Sequence, residues 1–135
     1  MTFAAKTQVP VSRTRQGIEA ALRKAGATRI ITMDEPAETV VAFQLEGRMV
    51  RMTGPVAPDV SDQVRRTLWR NIDQVVRGKL AGVDMGIETA EEAFLAHIVM
   101  PNGQTVYEAA RGTLAVAYET GNMPALLPAP SKGSA

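Results

Sequence analysis

The stretch Thr39-Val-Val-Ala-Phe-Gln-Leu45-Glu-Gly-Arg48-Met-Val-Arg-Met-Thr53 carries the strongest fold signal in this sequence. Two runs rich in β-branched and apolar residues flank Glu46-Gly47, and a two-residue loop of this kind is typical of a β-hairpin. So short a loop also predicts the register of the two strands. The predicted pairs are Leu45 with Arg48, Phe43 with Val50 and Val41 with Met52. These pairs form an apolar face, and the opposite face is mixed.

The residues before the hairpin predict a further strand and a helix. Arg29–Met33 is rich in β-formers and is separated from the hairpin by the turn Asp34–Ala37, so a three-stranded antiparallel meander is expected. Upstream, apolar residues recur at helical spacing from Ile18 to Ala25, with Ser12 as a candidate cap and Gly26 as the expected end. Residues 1–10 show no clear period and are expected to form an arm or an edge strand.

A long helix follows the hairpin, opening at Asp59 or Ser61 and running to about Val83. Its expected apolar stripe is Val60, Val64, Leu68, Ile72, Val75 or Val76, and Leu80. Its expected polar stripe is Asp62, Arg66, Arg70, Asp73 and Arg77. Gly86 is the expected end of this element.

The C-terminal half predicts two shorter helices, because Thr89–Glu92 and Thr105–Glu108 each match a capping box. Between them, 98–100 and 104–106 are expected to pair around the turn 101–103, and Gly121 is expected to end the last helix. The whole order predicts one α+β domain over residues 11–121, preceded by an arm (1–10) and followed by a Pro-rich tail (122–135). Within that tail, Met123–Leu127 is apolar enough to dock back onto the domain.

Composition excludes several classes of chemistry. The 135 residues include no cysteine and one histidine, which rules out disulfides, thiolate metal sites and any two-histidine metal site within the chain. No apolar run approaches the roughly 20 residues of a membrane span. His97 has no partner motif for general-base catalysis, and the acidic group of Asp84, Glu88 and Glu91 lacks a calcium-loop spacing. We therefore expect no catalytic residue, no metal and no cofactor.

Arginine dominates the basic residues, with eleven Arg against four Lys. Arginine offers planar, multi-donor contacts to phosphate, and tryptophan can stack on bases, so the long helix and the hairpin together suggest a nucleic-acid surface. The candidate residues are Arg48, Arg51, Arg65, Arg66, Trp69, Arg70 and Arg77. The alternative is a solvated helix face with i,i+4 ion pairs, with Trp69 packed at the edge of the core.

The net charge of +1 conceals an uneven distribution. Residues 1–70 carry eleven basic and seven acidic residues, whereas 71–135 carry four basic and seven acidic residues. A chain with a basic half and an acidic half can bind nucleic acid with one half or pair with another copy of itself. We therefore expect a homo-oligomer, with the long helix or the mixed face of the sheet supporting self-association.

From the long helix onward the sequence resembles a group of small phage and prophage proteins of unassigned function. The resemblance covers about residues 11–128. It is carried by Leu68-Trp-Arg70, Lys79–Val83, Gly86–Val106, Ala117–Leu127 and the Glu46–Arg51 hairpin, and most specifically by Phe94-Leu-Ala-His97 with Pro101-Asn-Gly103. It implies a role in the cytoplasm of an infected bacterium.

Three functions stay open from the sequence. The first is a non-enzymatic accessory protein that binds nucleic acid, with single-stranded DNA favoured, in replication or recombination. The second is an inhibitor or adaptor that binds a bacterial nuclease or defence complex. The third, a hydrolase that uses the acidic group and His97, has the least support because no catalytic constellation frames these residues.

Overall fold

The computed structural model describes residues 7–127, and the order of its elements confirms the α+β class. The helices are α1 (Val11–Lys24), α2 (Asp62–Asp84), α3 (Ala90–Phe94) and α4 (Val106–Thr120), with a 3-10 turn at Leu95–His97. The strands are β1 (Thr28–Asp34), β2 (Glu38–Leu45) and β3 (Arg48–Pro55). They form one antiparallel sheet in the order β1-β2-β3.

The hairpin register is the predicted one, with Leu45 opposite Arg48, Phe43 opposite Val50 and Val41 opposite Met52. Glu46 and Gly47 both have positive φ (48° and 77°), the geometry of the type I′ turn that matches strand twist. The pairing of β1 with β2 is interrupted by a bulge between Thr28 and Ile31, where Arg29 also adopts a positive φ of 52°.

Helices α1 and α2 cover one face of the sheet. The core joins Ile18 and Leu22 of α1 to Val41 and Phe43 of β2 and to Trp69 of α2. Phe94 closes the other end, with its ring edge-on to Phe43 at a centroid distance of 5.2 Å. Thr7 lies against the start of α2, whereas Gly17, ten residues later, lies against Arg77, so the two helices run side by side in the same direction.

Most local signals at the helix ends are confirmed. Ser61 caps α2, both capping boxes are present, and Gly26, Gly86 and Gly121 have positive φ where each helix ends. The predicted cap of α1 is wrong: the helix begins at Val11, after Pro10, and Ser12 lies inside its first turn. Proline favours this arrangement because its missing N–H needs no partner at a helix start.

The C-terminal half is only partly packed. Ile98 bridges to Val50 and Val99 to Thr105, which confirms the expected pairing around 101–103 and extends the sheet beyond β3. The predicted docking of Met123–Leu127 is wrong, since Met123 is 88% exposed and Leu126 is 51% exposed. The N-terminal prediction for residues 1–6 lies outside the described residues, and 7–10 contain no strand. No helix among the described residues is long and apolar enough to cross a membrane.

Candidate nucleic-acid interface

The polar stripe of α2 contains a buried carboxylate. Asp73 is 4% exposed and accepts hydrogen bonds from Nε of Arg77 at 2.7 Å and from Nη1 of Arg70 at 3.4 Å. Both arginine side chains remain about half exposed, at 45% for Arg70 and 51% for Arg77. The carboxylate therefore orients two guanidinium groups at the protein surface, Arg77 by a short hydrogen bond and Arg70 by a longer one. The Asp73–Arg77 ion pair expected for a solvated helix face is present, but Asp73 itself is buried, because this side of α2 packs against α1.

Helix α1 completes this surface. The Gly17 carbonyl accepts a hydrogen bond from Nη2 of Arg77 at 3.1 Å, and a Cβ at Gly17 would lie only 3.2 Å from that nitrogen. Arg13 and Lys24, four residues before and seven after Gly17, lie on the same side of α1 and are exposed. Within residues 7–127 neither side chain has a hydrogen-bond or ion-pair partner. We call Arg13, Lys24, Arg70 and Arg77 the basic face. The sequence-based prediction did not include Arg13 and Lys24, although their helical spacing indicates that they share one side of α1.

Arg65 and Arg66 serve the fold rather than the surface. Arg65, with 13% of its side chain exposed, donates to the Asp34 carboxylate at 2.7 Å and to the carbonyls of Glu35 and Pro36, which ties the β1–β2 turn to α2. Arg66 is half-buried and donates to the Thr7 carbonyl at 3.3 Å, as well as to the amide oxygen of Gln63. Arg65 thus commits both Nη atoms inside the chain, and Arg66 commits Nε and Nη2 while remaining half-buried.

Trp69 is not a stacking surface in this structure. It is 0% exposed, its Nε1–H donates to the Asp34 carboxylate at 3.0 Å, and the Arg15 guanidinium lies 5.7 Å from the ring centroid. The alternative expectation that Trp69 packs in the fold is confirmed, but the ring lies inside the core rather than at its edge, since it is among the largest fully buried side chains. An aromatic ring must present a free face to stack on a base, and this one has none.

Arg48 and Arg51 do not join the basic face. The two residues are three positions apart on β3 and therefore lie on opposite faces, with Arg48 on the helix-covered side of the sheet and Arg51 on the other. Arg48 pairs with Glu91 at 3.0 Å, whereas Arg51 pairs with Glu108 at 3.1 Å and donates to the Gly103 carbonyl. The predicted continuous strip from hairpin to α2 is therefore absent among the described residues.

The charge is concentrated by element. Helix α1 carries four basic and one acidic residue and α2 carries five basic and three acidic residues, which gives this two-helix layer a net charge of +5. Residues 85–127 carry one basic and five acidic residues, a net charge of −4. The structure thus separates a basic layer from an acidic C-terminal part more sharply than the division of the sequence into halves.

His97 borders an apolar groove of about 350 Å³, lined by side chains of β2, β3 and α2 that include Met52, Leu68 and Val75. Burial lowers the pKa of His97 below its ordinary value of 6.5, and the Lys79 ammonium lowers it further. The imidazole is therefore neutral at pH 7.

The side of α2 that is buried in the core differs from the predicted apolar stripe by a rotation about the helix axis. Val64 of that stripe is 49% exposed, and the buried side centres on Trp69 and Val76. Leu68 and Val75, which also belong to the predicted stripe, line the groove beside His97.

Two acidic residues of the C-terminal half, Glu92 and Glu108, have capping roles at helix starts. Glu92 and Glu108 each accept the backbone N–H of their capping threonine, Thr89 or Thr105, and these hydrogen bonds lower the pKa of both carboxyl groups. Among residues 7–127, no group of three or more acidic or histidine side chains is arranged to hold a metal ion.

Comparison of the chain with protein-family models, with curated proteins and with solved structures finds no significant match. The basic face and the exposed surfaces around it are therefore the features of the molecule that bear on its function.

Proposed function

We propose that this chain is a non-enzymatic nucleic-acid-binding protein that contacts the phosphate backbone through its basic face. The observation that carries the proposal is the pair of half-exposed arginines, Arg70 and Arg77, held in place by the buried Asp73 carboxylate. Guanidinium groups that are already oriented lose less conformational freedom when they bind phosphate. The net charge of +5 on α1 and α2 adds long-range attraction for a polyanion.

Both arginines keep hydrogen-bond donors free for a ligand. Arg77 uses Nε and Nη2 inside the chain, and Arg70 uses only Nη1, so the remaining N–H groups are available to phosphate oxygens. The two residues lie seven positions apart, about 10 Å along α2, and Arg13 and Lys24 lie about 16 Å apart along α1. This face is sized for about three phosphate contacts rather than for a long groove.

The sequence argument for single strands depended on Trp69, which is buried, and α1 and α2 contain no other aromatic residue. We therefore propose backbone binding with little preference between single-stranded and duplex DNA. In the setting implied by the phage resemblance, the protein would act on nucleic acid in the cytoplasm of a bacterial host during replication or recombination.

Fluorescence anisotropy with a labelled 20-nucleotide strand and the matching duplex tests this proposal. About three neutralised phosphates give a slope near −2.7 in log affinity against log salt for duplex DNA, a roughly 40-fold loss of affinity between 50 and 200 mM salt. Arg13→Ala with Lys24→Ala removes two charges that have no partner within the described residues, so it should weaken binding and reduce the slope by about two without loss of stability.

The matched control is Arg48→Ala with Arg111→Ala, which removes two exposed charges outside the basic face and should leave affinity nearly unchanged. Absence of binding to either oligonucleotide at 25 mM salt would eliminate the proposal. Equal weakening by both double variants would assign binding to net charge alone.

The adaptor function keeps a specific observation in its favour, since large apolar side chains are exposed on α4 and beyond it. Tyr118 is 87% exposed, and Met123 is 88% exposed. Contiguous exposed apolar surface marks protein interfaces. A chain that remains monomeric and binds no oligonucleotide would favour an adaptor for a nuclease or defence complex over the nucleic-acid proposal.

A further inference from the structure

The sheet leaves one face uncovered by the described residues. The open sheet face, which points away from α1 and α2, consists of Ile31, Met33, Val40, Ala42, Gln44, Met49, Arg51 and Thr53. Ile31 is 53% exposed, and Met33 and Met49 are each 38% exposed. An antiparallel sheet can face water on one side, but then that side is normally polar, whereas five of these eight residues are apolar.

The last helix, α4, carries an apolar stripe that is only partly packed against the rest of the described chain. Tyr107, Ala110, Leu114 and Tyr118 recur at helical spacing along one side of α4. Ala110 is buried against the domain at 7% exposure, but Leu114 and Tyr118, one and two turns later, are 43% and 87% exposed. The stripe thus continues past the end of the domain that it packs against.

The sequence nevertheless stabilises α4 as a helix along its whole length. Thr105 and Glu108 form a capping box at its start, and Gly121 ends it with a φ of 76°. Helices shorter than about 12–15 residues are marginal in water without tertiary packing. The ten residues from Arg111 to Thr120 include none that is buried, so their helical state calls for a partner surface.

A second copy of the chain supplies what each surface lacks. Helix α4 starts beside the open sheet face, where Glu108 pairs with Arg51, but it does not cover that face in its own chain. Its C-terminal turn also carries Glu119 and no basic residue, whereas Arg29, at the bulge of β1, has no partner within residues 7–127. In a dimer with two-fold symmetry, α4 of each copy would cover the open sheet face of the other, so the same contact would form twice.

The areas are sufficient for such an exchange. Taking about 150–250 Å² for an aromatic side chain and somewhat less for the others, the exposed α4 stripe offers roughly 370 Å² and the open sheet face roughly 280 Å². Exchange in both directions buries roughly 1,300 Å², which lies within the range of about 1,200–2,000 Å² for specific interfaces.

We propose that two copies of this chain form a symmetric dimer in which α4 of each copy packs on the open sheet face of the other. This inference does not depend on the nucleic-acid proposal, because the basic face lies on α1 and α2, on the opposite side of the sheet. The dimer would place two basic faces outward, on the two outer sides of one particle.

Size-exclusion chromatography with light scattering tests the dimer directly, and the expected mass is twice 14.5 kDa. Leu114→Lys on α4 and Ile31→Lys on the sheet should each raise the dissociation constant at least about tenfold, because each change occurs twice in a symmetric dimer. Val116→Lys is the matched control, since Val116 is 45% exposed but lies on the opposite side of α4. Circular dichroism checks that each variant is folded.

Cross-linking identifies the contact, and the chain contains no cysteine that would interfere. Leu114→Cys and Ile31→Cys chains, mixed and treated with a short bismaleimide, should yield a covalent heterodimer, whereas each chain alone should yield far less. A monomeric mass at 100 µM would overturn the proposal. So would a dimer unaffected by Leu114→Lys and Ile31→Lys. A chain that carries both Leu114→Cys and Ile31→Cys completes the test, because a cross-link within a single molecule would also overturn the proposal.

Discussion

The buried Asp73 carboxylate makes the stability of this protein depend unequally on the three charged residues of its cluster, Asp73, Arg70 and Arg77. Asp73 is 4% exposed, while the side chains of Arg70 and Arg77 are about half exposed. Replacing the carboxylate leaves two guanidinium groups that water can solvate. Replacing both arginines by methionine leaves a buried charge that has lost its counter-ions.

The magnitudes follow from these environments. Loss of the partners of a buried charge costs about 3–5 kcal/mol, and the lower end applies here because the cluster lies at the surface. Asp73→Asn loses charge-assisted hydrogen bonds but keeps the shape, at a cost of about 1–2 kcal/mol. The triple variant, Asp73→Asn with Arg70→Met and Arg77→Met, removes the stranded charge and should recover most of the deficit.

Urea unfolding followed by circular dichroism at pH 7 measures the cycle. We expect the double arginine variant to be the least stable of the three, with a coupling free energy of at least about 1.5 kcal/mol between Asp73 and the arginine pair. Additive costs, or a triple variant less stable than the double variant, would refute the reasoning, because the carboxylate would then not depend on its counter-ions.

Three further predictions use other features. Trp69, the only tryptophan, should resist acrylamide quenching and should not respond to oligonucleotide binding; strong quenching of the folded protein would contradict its burial. Glu46→Asn should raise the free energy of unfolding by up to about 1 kcal/mol, because asparagine tolerates positive φ before Gly47 in a type I′ turn. The lowered pKa of His97 means that its contribution to stability is complete above pH 6.5 and is lost as the pH falls through the folded-state value. The free energy of unfolding of His97→Gln should therefore vary less between pH 7.5 and pH 5 than that of the unsubstituted protein. An equal variation in both proteins would argue against the burial of His97.

The predictable part of this fold is the part governed by residues near each other in the chain. The hairpin register followed from a two-residue loop and an alternation of period two, and the capping boxes followed from residues three positions apart. The burial of Trp69 was underestimated because its hydrogen-bond acceptor, Asp34, lies 35 residues away. No spacing rule within α2 indicates such a partner.

The candidate site was only partly predictable for the same reason. The polar stripe of α2 has the pattern of a solvated face, but Arg77 also donates to Gly17, 60 residues earlier, because α1 packs along it. An apolar–polar pattern describes a helix with one buried side, whereas α2 packs against both the sheet and α1. The arginines at positions 48 and 51 could be placed on the hairpin, but their acidic partners come from the C-terminal half.

The contact between Trp69 and Asp34 also determines what an experiment on folding kinetics can observe. The indole gains both its burial and its hydrogen-bond acceptor only when α2 docks on the end of β1. The β2–β3 hairpin, whose strands are joined by two residues, can form before that event without changing the environment of the ring. Tryptophan fluorescence therefore times the docking of α2 and does not detect the formation of the hairpin.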